Sequence, residues 1–152
     1  MKKLAVPLII QPNDYMCGPT SLDMVFRFFG VCVTSAKILQ YSSTGVLRGT
    51  PRKGMIRCAR AVGFHVHAQN DMTWKDLVEN IAHGRPIIVN NRDTTDRSPH
   101  YSVVVGIDAR TALVLDPDEL KPLRIPRKLF ESLWYGSFHT KHTHWGMVIW
   151  PK

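Results

Sequence analysis

The chain has 152 residues, of which 44% are hydrophobic and 21% charged, with a formal net charge of +8. That length and balance are ordinary for a soluble globular protein and fit one domain, residues 1–152, with a real buried core. Three cysteines at irregular spacing make no disulfide framework and point to a reducing compartment, so a cytoplasmic location is expected.

Met1-Lys2-Lys3 followed by Leu4–Ile10 imitates a secretory signal. Its apolar run is only seven residues, holds Pro7 and lacks a small-residue cleavage site, so it reads as a strand leading into Gln11. No run approaches the roughly 18 apolar residues of a membrane span, and none is expected. Leu22, Val25, Phe26 and Phe29 recur at helical spacing before Gly30, predicting a helix over Gly18–Phe29 with Pro19 in its first turn. Helical patterns follow at Ser35–Tyr41, Lys53–Val62 and Thr73–Ala82, the last capped by Thr73. From Pro86 the pattern changes. Pro86–Val89, Tyr101–Ile107, Ala112–Leu115 and Met147–Trp150 are short, β-branched and bounded by turn residues, and read as strands. A short helix near Arg127–Trp134 interrupts them, and the polar segment Asn90–Pro99 reads as a loop. Helices first and strands second predict an α+β domain, N-terminal helices packed on a C-terminal antiparallel sheet.

Four residues in this frame carry chemistry. Cys17 stands where the first helix begins, and a helix N-terminus favours a thiolate. The bland alternative is a small buried hydrophobe, which suits Cys32 and Cys58, both in apolar contexts without catalytic neighbours. Gly18 leaves room there for a substrate backbone. Gln11, six positions before Cys17, is close enough for its amide and the Cys17 N–H to face one carbonyl oxygen; alone it would read as a loop glutamine. His100 heads a strand from which an imidazole can face the helix. Asp116 ends the neighbouring strand, within reach of the other ring nitrogen; its rival Asp108 follows the far end of the His100 strand. A thiol, an imidazole, a carboxylate and an amide in these positions are the parts of a papain-like cysteine nucleophile site. His139, His142 and His144 cluster, but their spacing matches no zinc motif and no cysteine or carboxylate lies close by, so neither metal nor other cofactor is expected.

These blocks are familiar together. Val6–Gln11, Cys17-Gly18-Pro19-Thr20-Ser21-Leu22, Gly49-Thr50-Pro51, Ala61–Phe64, Gly84–Val89, His100–Val105, Leu115-Asp116-Pro117 and Phe130–Gly136 resemble, in order, the bacteriocin-processing double-glycine cysteine peptidase family of the papain-like clan. The resemblance implies Cys17 as nucleophile, His100 as general base and acid, Asp116 as its orienter and Gln11 in the oxyanion hole. It implies a peptide or protein substrate, cut after a Gly-Gly-type leader. Leader-trimming members are commonly fused to a membrane-spanning exporter; this chain resembles the free-standing ones, so any exporter is expected as a separate partner. The charged loop Arg92–Arg97 stands next to His100 and can reshape the cleft. A non-cleaving peptide- or transporter-binding module of the same fold, and a thiol acyltransferase, are the competing readings.

Basic residues fall in two groups: Arg48, Arg52, Lys53, Arg57 and Arg60, then Lys121, Arg124, Arg127 and Lys128. Without an RNA-recognition motif, finger spacing or arginine-rich tail, they read as a solvated face and not as a nucleic-acid site.

Overall fold

A computed structural model describes residues 1–135 and 144–152. Three helices come first: α1 (Cys17–Phe28), α2 (Ser35–Ser42) and α3 (Arg52–Val62). After strand β2 (Phe64–Gln69) and helix α4 (Trp74–Ala82) come β3 (Ile87–Arg92), β4 (Pro99–Ile107), β5 (Thr111–Leu115), β6 (Leu123–Pro126), α5 (Arg127–Leu133) and β7 (Gly146–Pro151). A two-residue strand β1 (Lys2–Lys3) pairs with the far end of β4. The strands form one antiparallel sheet in the order β2-β7-β3-β4-β5-β6, with β1 off that path. The fold is α+β with the N-terminal helices packed on the sheet, as the pattern of the chain predicts. Among the described residues no helix is long and apolar enough to cross a membrane.

The sheet is covered on both faces, which the order of elements does not reveal. Leu22, Val25 and Phe26 of α1 and Met55, Cys58 and Ala59 of α3 bury against Val103, Val105, Leu115 and Met147 on one face. Leu77 and Ile81 of α4 and Phe130 of α5 bury against Val89, Val104, Val114 and Val148 on the other. Because successive strand residues point to opposite faces, both sets of β4 and β5 positions must be apolar, hence their unbroken apolar runs.

Several expectations are corrected. Leu4–Ile10 forms no strand; only the Leu4 amide reaches the sheet, donating to the Val105 carbonyl at 2.8 Å. Strands β2 and β6 went unpredicted: His65 and His67 break the apolar look of one, and Arg124 that of the other. Asn90–Arg92 belongs to β3 and not to a loop, and these polar residues are buried because the β3–β4 hairpin folds into the site. Cys58 is buried, with burial raising its pKa to about 11. Cys32 is exposed, since Val31-Cys32-Val33 lies in the connection between α1 and α2. His139 and His142 lie outside the described residues. His144 stacks on Trp134 at 4.5 Å, its Nδ1 3.1 Å from the Met72 carbonyl oxygen.

Candidate active site

The site forms where the N-terminus of α1 meets the ends of β3, β4 and β5. Cys17 is the first residue of α1, and its N-cap Met16 supplies no side-chain acceptor. The first-turn amides of a helix have no acceptor within it, and Pro19 removes one of them. The start of α1 therefore keeps free N–H groups at the thiol.

Across from it, β4 and β5 pair with Val103 opposite Leu115. One step along this register sets Asp116 beside Ser102, on the face that His100 also shares. Both His100 and Asp116 are buried, and the His100 Nε2 lies 2.6 Å from the Asp116 Oδ1. The carboxylate is itself fixed, since Oδ1 also accepts from the Asp118 amide at 2.8 Å. The second ring nitrogen, Nδ1, is then left to meet the thiol. Burial alone would lower the His100 pKa, but hydrogen bonds to Asp116 and Cys17, with their charges, raise it to about 10. These surroundings favour the cationic form of the imidazole. Asp108, the rival carboxylate, is spent on a turn, accepting from the Arg110 and Thr111 amides at 2.8 Å each.

Gln11 arrives by a different route. Its amide donates to the Pro117 carbonyl at 2.8 Å. Its Nε2 donates to the Asn13 carbonyl at 2.8 Å, while Oε1 is buried without a donor among the described residues. A primary amide has two N–H donors, so one remains after the Asn13 bond.

A cleft of about 520 Å³ opens over Cys17 and His100, lined also by Thr50, Arg52 and Tyr101 among others. Its helical wall is strapped to the sheet by the Tyr101 hydroxyl, which donates to the Thr50 carbonyl at 2.9 Å. Gly18 serves that wall and not the substrate: a Cβ there would sit 2.7 Å from Thr50 Oγ1 and 2.8 Å from Thr50 Cβ. The expectation that Gly18 frees space for a peptide backbone is corrected accordingly.

Asp93 escaped the sequence reading. It is buried beside His100, and Asp93, His100 and Asp116 bring one ligand-capable atom each within 4.8 Å of one another. Its Oδ1 caps a turn, accepting from the Thr95 amide at 2.7 Å and the Asp96 amide at 3.3 Å. Burial pushes its pKa up, but these bonds, with the Thr95 hydroxyl and the His100 charge, outweigh burial and lower it. The three donor groups could meet a cation, yet Asp116 Oδ1, His100 Nε2 and Asp93 Oδ1 are already engaged within the protein. Nothing in the run Arg92–Arg97 marks Asp93 out; only the return of the hairpin sets it beside His100.

Known proteins share this architecture. The Peptidase_C39 like family matches residues 3–140. The chain is 32% identical over 128 residues to the transport/processing ATP-binding protein ComA of Streptococcus pneumoniae, covering 83% of this chain; it spans 17% of that protein's length. Among solved structures it is similar to the peptidase domain of Streptococcus ComA, with a TM-score of 0.72, 23% identity and 100% of each chain covered. It is equally similar to a double glycine motif protease from an AMS/PCAT transporter in complex with its leader peptide, with a TM-score of 0.72, 20% identity, and 99% and 94% of the two chains covered.

Proposed function

The chain belongs to the Peptidase_C39 like family, and we propose that it is a cysteine peptidase that cuts a peptide after a Gly-Gly-type leader sequence through Cys17, His100, Asp116 and Gln11. The observation that carries this assignment is the buried His100, 2.6 Å from Asp116 and lining one open cleft together with Cys17.

In this reading the Cys17 thiolate attacks the carbonyl carbon before the scissile nitrogen. The new oxyanion accepts from the Cys17 N–H and the remaining Gln11 Nε2–H. The His100 imidazolium gives its proton to the leaving amine, and the thioester forms as the C–N bond breaks. Neutral His100 then takes a proton from water, whose oxygen attacks the thioester and releases Cys17. Asp116 holds the ring so that Nδ1 faces sulfur throughout. A leader-type substrate is supported by the likeness to a double glycine motif protease bound to a leader peptide. Three free cysteines favour a reducing, cytoplasmic setting, where the leader would reach the enzyme before handover to a separate exporter.

Incubation of the protein with a randomised peptide library, read by mass spectrometry, tests this. Cuts following Gly-Gly, absent in Cys17→Ala and His100→Ala, are expected. Cuts that persist in Cys17→Ala sink the residue assignment, and a preference for a large residue before the cut sinks the leader assignment.

A further inference from the structure

Between Asp23 and Asp71 the chain has no acidic side chain and seven basic ones. Among the described residues only Arg27 of these is ion-paired, to Asp23 at 3.0 Å. This stretch builds α2, α3 and the intervening turn in which Gly45 bridges Gly49. That turn and the start of α3 wall the cleft, where Arg48 and Arg52 stand with Cys17 and His100. Lys53, Arg57 and Arg60 line a second groove along α3.

Arg52 differs from its exposed neighbours because its guanidinium is constructed. Nε donates to Asn90 Oδ1 at 3.0 Å and Nη1 to Asn70 Oδ1 at 3.3 Å, and the group lies 5.2 Å from the Trp145 ring centre. Nη2 is buried without an acceptor. Two neutral amides and a π face orient a cation without neutralising it. Burial accordingly lowers the Arg52 pKa, and no carboxylate forms an ion pair with it among the described residues. Asp14, which also lines the cleft, pairs with neither Arg48 nor Arg52 there. A partly desolvated cation without counter-charge is costly to keep, and an anion entering the cleft offsets that cost. Asn90 also donates to the His100 carbonyl at 3.0 Å, so Arg52 and the histidine are held in one network.

We propose that Arg52 receives an acidic side chain of the peptide substrate, a Glu or Asp within a few residues of the bond that Cys17 attacks. This specificity rests on the peptidase reading of the cleft. With Nε and Nη1 donating to Asn90 and Asn70, Nη2 is the donor left without an acceptor and the one a carboxylate would engage, and Arg48 in the same lining raises the local concentration of acidic peptides.

The test separates binding from cutting. Fluorescein-labelled serine–alanine peptides around a Gly-Gly core carry a single Glu, Gln or Lys at each position near the cut. Their affinities are measured by anisotropy on Cys17→Ala protein, and their turnover on the unmodified chain. At one or more positions Glu should bind about tenfold more tightly than Gln, with Lys weakest, and the ratio should fall as salt rises. Adding Arg52→Gln should bring the Glu/Gln ratio close to one, whereas adding Lys121→Gln, outside the cleft, should keep it. Equal Glu and Gln affinities at every position, or a ratio untouched by Arg52→Gln, overturns the proposal. Should Arg52→Gln fail to fold, the salt response decides, and a salt-independent ratio overturns it. Selective binding of Glu peptides with no turnover would sink the peptidase reading and leave this one standing.

Discussion

The Gln11 amide donates to the Pro117 carbonyl at 2.8 Å, so the glutamine is pinned to the turn that follows Asp116. Two residues more than a hundred positions apart in sequence are joined by one backbone bond. Because Asp116 is in turn engaged by His100, a shift of the Gln11 loop is a shift of the whole constellation. The arrangement ties the group proposed to face the oxyanion to the group that holds the base.

Gln11→Ala should lower kcat by about 10²–10³, the cost of losing one oxyanion donor, and leave KM nearly unchanged. The backbone bond to Pro117 survives the change, so His100 and Asp116 should stay in place and iodoacetamide should still label Cys17. Steady-state kinetics beside mass-spectrometric labelling checks both. A loss of labelling equal to the loss of turnover would assign Gln11 a scaffolding role instead.

Much of this site is legible in the sequence because its parts lie where local patterns are strong. Cys17 sits at a helix start marked by Pro19 and the Leu22–Phe26 spacing, and His100 and Asp116 flank apolar runs on neighbouring strands. Residues placed by long-range return escape such reading. Asp93 and Asn90 look like loop residues until the β3–β4 hairpin buries them, and Arg52 looks like surface until Asn70, Asn90 and Trp145 converge on it. Strand β2 escapes for a related reason: as an edge strand it buries one side only, and its outward His65 and His67 blur the pattern.

The pH profile should carry the signature of His100. Its pKa is raised from 6.5 to about 10, so the stability that its bonded cationic form contributes is complete below about pH 6.5. That contribution is lost as pH climbs through about 10. The same proton serves the leaving amine, so the alkaline limb of kcat/KM should lie well above the ordinary histidine range. It reports the thiol and imidazole as a coupled pair. Asp116→Asn removes a carboxylate that raises the value and should move the limb to lower pH. Identical alkaline limbs in both proteins would disconnect Asp116 from the histidine's titration.

Limiting iodoacetamide near neutral pH should mark Cys17 before Cys32, and Cys58 last. Cys58 is buried, with its thiol raised to about 11. Cys32 is the accessible competitor, within electrostatic reach of Arg27, which is paired with Asp23, whereas Cys17 shares its cleft with His100. Peptide mapping after brief exposure gives the order. In His100→Ala the labelling of Cys17 should fall toward that of Cys32. Faster modification of Cys32 in the unmodified protein would remove the activated-thiol assignment.

Gly18→Ala should be destabilising out of proportion to one methyl group. The added Cβ would stand 2.7 Å from Thr50 Oγ1, 2.8 Å from Thr50 Cβ and 3.0 Å from Met55 Sδ. Thr50 cannot easily retreat: its hydroxyl is 2.7 Å from that of Thr44, and its carbonyl accepts from Tyr101. Overpacking of this kind costs about 1–3 kcal/mol. The displaced Thr50 wall should also raise KM, since it lines the cleft with Cys17. Thr50→Ala removes the clashing hydroxyl, though not the Thr50 Cβ, and loses the Thr44 contact. Combined with Gly18→Ala it should return part of the stability lost in Gly18→Ala alone. Urea unfolding of the two single variants and the double variant measures the coupling. Strictly additive losses would show that the crowding at Gly18 is relieved elsewhere and that Thr50 does not set the width of the cleft.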